Sequence, residues 1–219
     1  ASNSVYVNPE IQISLTTINN PLCNGDNNGS FSIAVAGGSP NYDIDWTNGL
    51  VNGSFPGSPG GPHVLGSLPA DTYTVNVTDN QGCTNSENIT LTEPDSLIFE
   101  VDNINHILCG GSGAGSINYS LSGGIPQYEL EWQGDTTSGI INTISPGSHN
   151  LSPLYGGNYS ITLTDANGCT ITDNFNVNAP DELNVNVTII EEVSCYGVDD
   201  AIFDLEITGG TSPYNVFWT

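Results

Sequence analysis

Apolar and polar residues alternate along this chain with a period of two. Phe31, Ile33 and Val35 are separated by Ser32 and Ala34, and Tyr42, Ile44 and Trp46 by Asp43 and Asp45. The same spacing returns in Ile11, Ile13 and Leu15, in Tyr73, Val75 and Val77, and in Ile89 and Leu91. A period of two places successive side chains on opposite faces of a half-buried strand. No stretch carries the 3.6-residue period of an amphipathic helix. At least five strands separated by Gly, Pro and Asn turns predict an all-β fold, an antiparallel β-sandwich resembling an immunoglobulin-like domain. The Trp strand is expected to bury its indole between the two sheets.

The pattern repeats. Cys23, Cys109 and Cys195 follow one another at intervals of 86 residues, as do Trp46, Trp132 and Trp218, and the glycine pairs beginning at Gly37, Gly123 and Gly209. Matching alternations run through Ile117, Tyr119 and Leu121, Tyr128, Leu130 and Trp132, Phe203, Leu205 and Ile207, and Tyr214, Val216 and Trp218. A fixed interval without insertion means tandem copies of one domain. The expected division is 1–8 as the end of a preceding copy, 9–94 and 95–180 as two full copies, and 181–219 as the first part of a third.

Turn chemistry repeats as well. VTDNQGCTN (Val77 to Asn85) returns as LTDANGCTI (Leu163 to Ile171). Asp at the start of such a turn accepts backbone N–H groups, and Gly at its fourth position takes positive φ. The motif therefore predicts a hairpin with Cys83 or Cys169 opening the last strand. GGSPNY, GGIPQY and GGTSPY mark tight connections into the Trp strand, and TEPDSL and NAPDEL are short, Pro-stiffened joins between copies.

Charge removes several function classes. The chain of 219 residues has no Lys or Arg and 24 Asp plus Glu, a formal net charge of −24. A nucleic-acid surface needs cations that displace counterions, so none is expected here. Attachment to anionic lipid lacks its cations for the same reason, and no apolar run is long enough for membrane insertion as a helix.

Cysteine spacing predicts the disulfides. Cys23 and Cys83 are 60 residues apart, and so are Cys109 and Cys169, while Cys195 would find its partner beyond residue 219. One bond inside each copy is the simplest reading and implies an oxidising compartment. Closing such a loop restricts the unfolded chain by about 4 kcal/mol in chain-entropy terms. No Cys-x-x-Cys pair is present, and the histidines are not grouped with the cysteines, which disfavours a zinc site.

Catalysis needs groups converging in one pocket, and here the polar residues are spread by repetition. His63 and His149 are equivalent positions, and His106 aligns with Asn20 and Glu192. The carboxylate pairs Asp43 and Asp45, and Glu129 and Glu131, alternate with the buried face of the Trp strand and form its solvated side. No enzyme is expected. Calcium is the one cofactor the residues suggest: Asp26 in CNGDNNGS and Asp199 with Asp200 in CYGVDD place oxygen ligands beside a Gly turn. The second copy has no carboxylate in that turn.

In order, one copy reads Cys, a Gly-rich turn, a strand, GG-x-P-x-Y, a strand ending in Trp, Leu68, TYTVNVTDNQGC and TLTEP. This resembles the SprB-type repeat of giant cell-surface adhesins of gliding Bacteroidota, over essentially the whole chain. The resemblance implies a non-enzymatic, extracellular, outer-membrane-associated protein exported by the type IX secretion system. Its implied partners are the gliding machinery, neighbouring repeats of the same chain, and polysaccharide or abiotic surfaces. It also implies O-linked glycosylation at Asp-Ser/Thr motifs, which Ser96 in DSL and Thr136 in DTT match. The expected role is an adhesin or filament shaft serving gliding and attachment. The alternative is an inert spacer that presents a terminal carbohydrate-binding or hydrolytic domain.

Overall fold

The computed structural model describes residues 8–111 and 113–217, and every regular element among them is a β-strand. Seven strands form the first sandwich: β1 (Gln12–Asn19), β2 (Gly29–Ala36), β3 (Tyr42–Thr47), β4 (Asn52–Ser58), β5 (His63–Leu68), β6 (Asp71–Thr78) and β7 (Thr84–Leu91). They pair antiparallel in two sheets, β1-β2-β5 and β4-β3-β6-β7. The alternating residues explain the pairing. Phe31 and Ile33 on β2 and Tyr73, Val75 and Val77 on β6 are fully buried. The rings of Phe31 and Tyr73 meet at 5.7 Å between centroids, where the two sheets face each other. Burying such side chains is the main favourable term in folding, about 1.5–3 kcal/mol for each large one.

The arrangement recurs with β8 (Ile98–Asn105), β9 (Gly115–Ser122), β10 (Tyr128–Gly134), β11 (Ser138–Ile144), β12 (Gly147–Leu154), β13 (Gly157–Thr164) and β14 (Thr170–Val177). Their sheets are β12-β9-β8 and β11-β10-β13-β14, the same order as in the first sandwich. Ile117, Tyr119, Leu130, Ile161 and Leu163 take the central buried places. A three-stranded and a four-stranded antiparallel sheet enclosing one core is an immunoglobulin-like sandwich, with the edge strand β4 or β11 flanking the Trp strand. The last pair, β15 (Asn184–Glu191) and β16 (Ile202–Thr208), forms a two-stranded antiparallel sheet.

By compactness the chain divides in two. Among the described residues, one unit holds those up to Leu97 with Gly123–Ile125 and Asn167–Cys169, and the other holds the remainder.

Tryptophan departs from expectation. Trp46 and Trp132 are half-buried, and Trp218 lies outside the described residues. Each described indole lies across a glycine on the neighbouring edge strand. A Cβ on Gly53 would come within 2.5 Å of the Trp46 ring, and one on Gly139 within 2.9 Å of Trp132. The ring therefore covers the sheet margin, and tyrosines fill the centre: Tyr73, Tyr119 and Tyr128 are among the largest fully buried side chains. Tyr214 and Val216 also differ from the sequence reading, for they lie in irregular backbone. Their counterparts β3 and β10 are each held between two neighbouring strands, and among the described residues 213–217 pair with none.

The packing predicts a ranking. Phe31→Ala removes a fully buried ring facing Tyr73 and should cost about 3–5 kcal/mol of unfolding free energy, whereas Trp46→Ala at the margin should cost less. Urea denaturation of the two variants measures both, and equal losses would place Trp46 in the centre of the core.

Candidate functional site

Two features recur in this fold, a cysteine loop between the first two strands and a cysteine hairpin before the last. The loop follows β1. Asp26 N–H donates to the Cys23 carbonyl at 3.2 Å, Gly25 takes φ of 79°, and Leu22 N–H donates to Asn28 Oδ1 at 3.3 Å. Asn28 in turn donates to an Asp26 carboxylate oxygen at 3.0 Å. The segment after β7 clamps this loop from the side. Glu93 accepts from Gly25 N–H at 2.8 Å and from the Asn24 amide at 3.0 Å, and Asn20 and Thr92 exchange two hydrogen bonds.

The hairpin is organised by its aspartate. Asp79 is buried, and its carboxylate accepts N–H bonds from Ser39, Gln81 and Cys83, each at 2.9 Å. The Ser39 N–H does most to hold the carboxyl below its ordinary range, with those of Cys83 and Gln81 adding to it. Gly82 at φ 82° lets the chain reverse.

A third device was missed by the sequence reading. Gly38, Gly124 and Gly210 donate their N–H to the carbonyls of Pro9, Asp95 and Asp181, at 2.7, 2.8 and 2.8 Å. The glycine pair thus grips the join that precedes each copy. A Cβ on Gly37 would stand 2.1 Å from the Glu10 carbonyl oxygen and one on Gly123 1.8 Å from that of Ser96, so no other residue fits. The invariant position of the pair in all three copies was the available signal.

The disulfide corrects the expected pairing. Cys23 is bonded to Cys169, Cα atoms 5.6 Å apart, and neither Cys23–Cys83 nor Cys109–Cys169 forms. Strand direction is the reason. The Asp79 hairpin touches Ser39 and, through the Asn85 amide, the Ile11 carbonyl at the start of β1. Cys23 follows the end of β1, and Asn20 and Asn24 on either side of it bond Thr92 and Glu93 just after β7. The two cysteines of one copy thus lie at opposite ends of the sandwich. An eight-residue strand spans about 26 Å, far beyond the roughly 6 Å a disulfide tolerates between Cα atoms. Instead the bond links the two sequence copies, inside the first compact unit. Asn167 supports it by donating its amide to the Leu22 carbonyl at 2.8 Å. Cys83 and Cys195 are exposed thiols.

The remaining sequence candidates fall as follows. Asp200 accepts from Ser194 N–H at 2.9 Å and so does in its loop what Asn28 does in the first, and the Ser194 hydroxyl, with that N–H adding to it, holds its carboxyl below the ordinary range. Asp26 is tied to Asn28, and Asp199 is exposed. Among the described residues no group of three or more His, Cys, Asp or Glu is arranged to hold a metal ion. His63 bonds Ser58 Oγ at 2.6 Å, His149 donates to the Ser145 carbonyl at 2.8 Å, and His106 Nδ1 accepts Asn178 N–H at 3.0 Å. Ser96 and Thr136 are both exposed in irregular segments, open to modification. Among the described residues no helix is long and apolar enough to cross a membrane.

Two outcomes follow. A carboxylate whose pKa is depressed contributes stability above its unfolded pKa, about 3.9 for Asp, and loses it as the pH falls through the folded value. Asp79→Asn should therefore be clearly less stable at pH 7, with the gap from the parent closing toward pH 2; a gap independent of pH in urea titrations would contradict the assignment. The bond itself shuts 146 residues of sequence into a closed loop. Pulling the chain by its ends should release roughly 500 Å more contour length after reduction, at 3.3–3.6 Å per residue. An unchanged length would show that Cys23 and Cys169 are not joined.

Comparison with known proteins adds the following. No curated protein matches the chain. Among solved structures it is similar to a crystal structure titled DIP-gamma IG1+IG2, at 11% identity and TM-score 0.38, covering 77% of this chain and 97% of that one. It is also similar to tandem Ig repeats of Dlar, at 18% identity and TM-score 0.29, covering 78% and 99%. A third is the BSP domain of a biofilm associated protein, at 14% identity and TM-score 0.27, covering 75% of this chain and 29% of that one. Residues 15–51, which run from β1 through the cysteine loop, β2 and β3, match the family model described as the SprB repeat.

Proposed function

We propose that the chain is a non-enzymatic segment of a cell-surface adhesin, its tandem copies forming a filament shaft that serves attachment and gliding motility. The SprB repeat match at residues 15–51 is the observation that carries this reading. The Cys23–Cys169 disulfide supports an extracellular location, because such bonds persist where the surroundings are oxidising. Export through the type IX secretion system and movement by the gliding machinery belong to the same reading, as does sugar attached at Ser96 and Thr136. Adhesion in such a shaft comes from many weak contacts acting together.

Fluorescent antibody raised against this chain should label intact cells of its source, and the label should travel along moving cells. Beads carrying the chain should be retained on polysaccharide-coated or bare glass beyond beads carrying an unrelated β-sandwich of equal charge. Label that stays fixed removes the gliding role. Retention equal to the control on both surfaces replaces adhesion with the spacer role.

A further inference from the structure

The Cys23–Cys169 joint has two halves, and each half occurs a second time in this chain without the other. The receiving half is the cysteine loop. In the first copy it presents Cys23 with the Leu22 carbonyl beside it, the carbonyl that accepts the Asn167 amide. Around Cys195 the same backbone is built. Val198 N–H donates to the Cys195 carbonyl at 3.2 Å, matching Asp26 to Cys23 at 3.2 Å, and Gly197 takes φ of 86° where Gly25 takes 79°. Asp200 Oδ1 accepts Ser194 N–H as Asn28 Oδ1 accepts Leu22 N–H.

The inserting half is the hairpin. Asn167, Gly168 and Cys169 have Gln81, Gly82 and Cys83 as their equals in the first copy. Gly82 and Gly168 turn at φ of 82° and 85°. Gln81 carries the same amide group as Asn167, one methylene further out. Asp79 fixes this hairpin before anything docks on it, and its Cys83 thiol is exposed.

We infer that the Cys83 hairpin and the Cys195 loop are docking sites for further copies of this repeat, each closed by a disulfide of the Cys23–Cys169 kind. The rule is directional: the first cysteine of a copy bonds the second cysteine of the copy after it. Cys83 then takes the first cysteine of a preceding copy and Cys195 the second cysteine of a following one, while Cys109 holds the Cys23 position of the second copy. Because both halves already have the backbone seen in the closed joint, little ordering remains to oppose docking. Closure joins two thiols, which release two protons and two electrons; a small-molecule disulfide such as oxidised glutathione takes them up by thiol–disulfide exchange and leaves as two thiols.

The consequence is a ladder of overlapping closed loops. Each loop begins before the previous one ends, as a bond from Cys109 to the next copy would begin inside the loop from Cys23 to Cys169. Tension on such an array passes through covalent bonds, and no complete copy can be drawn out as extended chain. The inference concerns the repeat itself and holds whatever surface the protein meets.

The test uses the 219-residue chain with Cys109→Ser, which leaves one exposed thiol of each half. At high concentration in a glutathione redox buffer it should form covalent oligomers whose non-reducing peptide map is dominated by Cys83–Cys195 links, with Cys23–Cys169 intact. Unselective coupling would give about half mixed links and a quarter of each like pair; the joint predicts mixed links several-fold above like pairs. Adding Cys83→Ser or Cys195→Ser should end oligomer growth. A statistical mixture, a majority of like pairs, or no covalent oligomer while Cys23–Cys169 is retained would each overturn the inference. The cell-labelling outcome is unaffected by any of these, so the two readings fail separately.

Discussion

Alternation of strand direction is the constraint on which the rest of this structure depends. Seven antiparallel strands leave β1 and β7 running the same way, so whatever follows β1 and whatever precedes β7 sit at opposite ends of the sandwich. Cys23 and Cys83 occupy those two places. They cannot meet inside a copy, and that separation makes each available to a neighbour. The bond to the neighbouring copy in place of one within the copy is therefore a consequence of topology. In chain-entropy terms a loop as long as the observed one restricts the unfolded state by about 5 kcal/mol.

Absence of cations shapes the local chemistry. Without Lys or Arg, a carboxylate that must be held in place can only use N–H and O–H donors, and the backbone supplies most of them. Asp79 takes three main-chain N–H groups, Glu93 takes Gly25 N–H with the Asn24 amide, Asp43 takes Gly57 N–H, and Asp200 takes Ser194 N–H. Backbone donors are fixed in direction and carry no mobile charge, so these bonds specify turn geometry. Such turns are preformed, which is what a docking joint requires. Most of the 24 carboxylates behind the formal net charge of −24 reach solvent, Asp79 and Asp165 being buried, and they oppose nonspecific association of like chains.

Glycine completes the joint. The pairs beginning at Gly37, Gly123 and Gly209 admit the preceding join to within hydrogen-bonding distance, and the hairpin glycines reverse the chain beside each second cysteine. Linker, loop and hairpin are thus tied by main-chain contacts that side-chain variation leaves in place. Copies can differ in the turn after the first cysteine, NGDNNGS in one and GGSGAGS in the next, and keep the same frame.

The sequence by itself determined most of the strands with strict alternation, the all-β class and the hairpin built on Asp79, because a period of two and turn chemistry are local properties. It did not show β4, whose NGSFPGS carries Pro and Gly and is tolerated only at a sheet edge, nor the half-exposed place of Trp46, which depends on Gly53 across the strand pair. Cysteine pairing was decided by tertiary structure alone. A spacing of 60 residues measures distance along the chain, whereas a disulfide responds to distance in space, and that is set by how many times the chain reverses between the two sulfurs. Any odd count of reversing strands puts the two cysteines of a copy at opposite ends, but neither the count nor the spacing names the partner, and Asn167 and Leu22 acquire their role only once Cys169 stands beside Cys23.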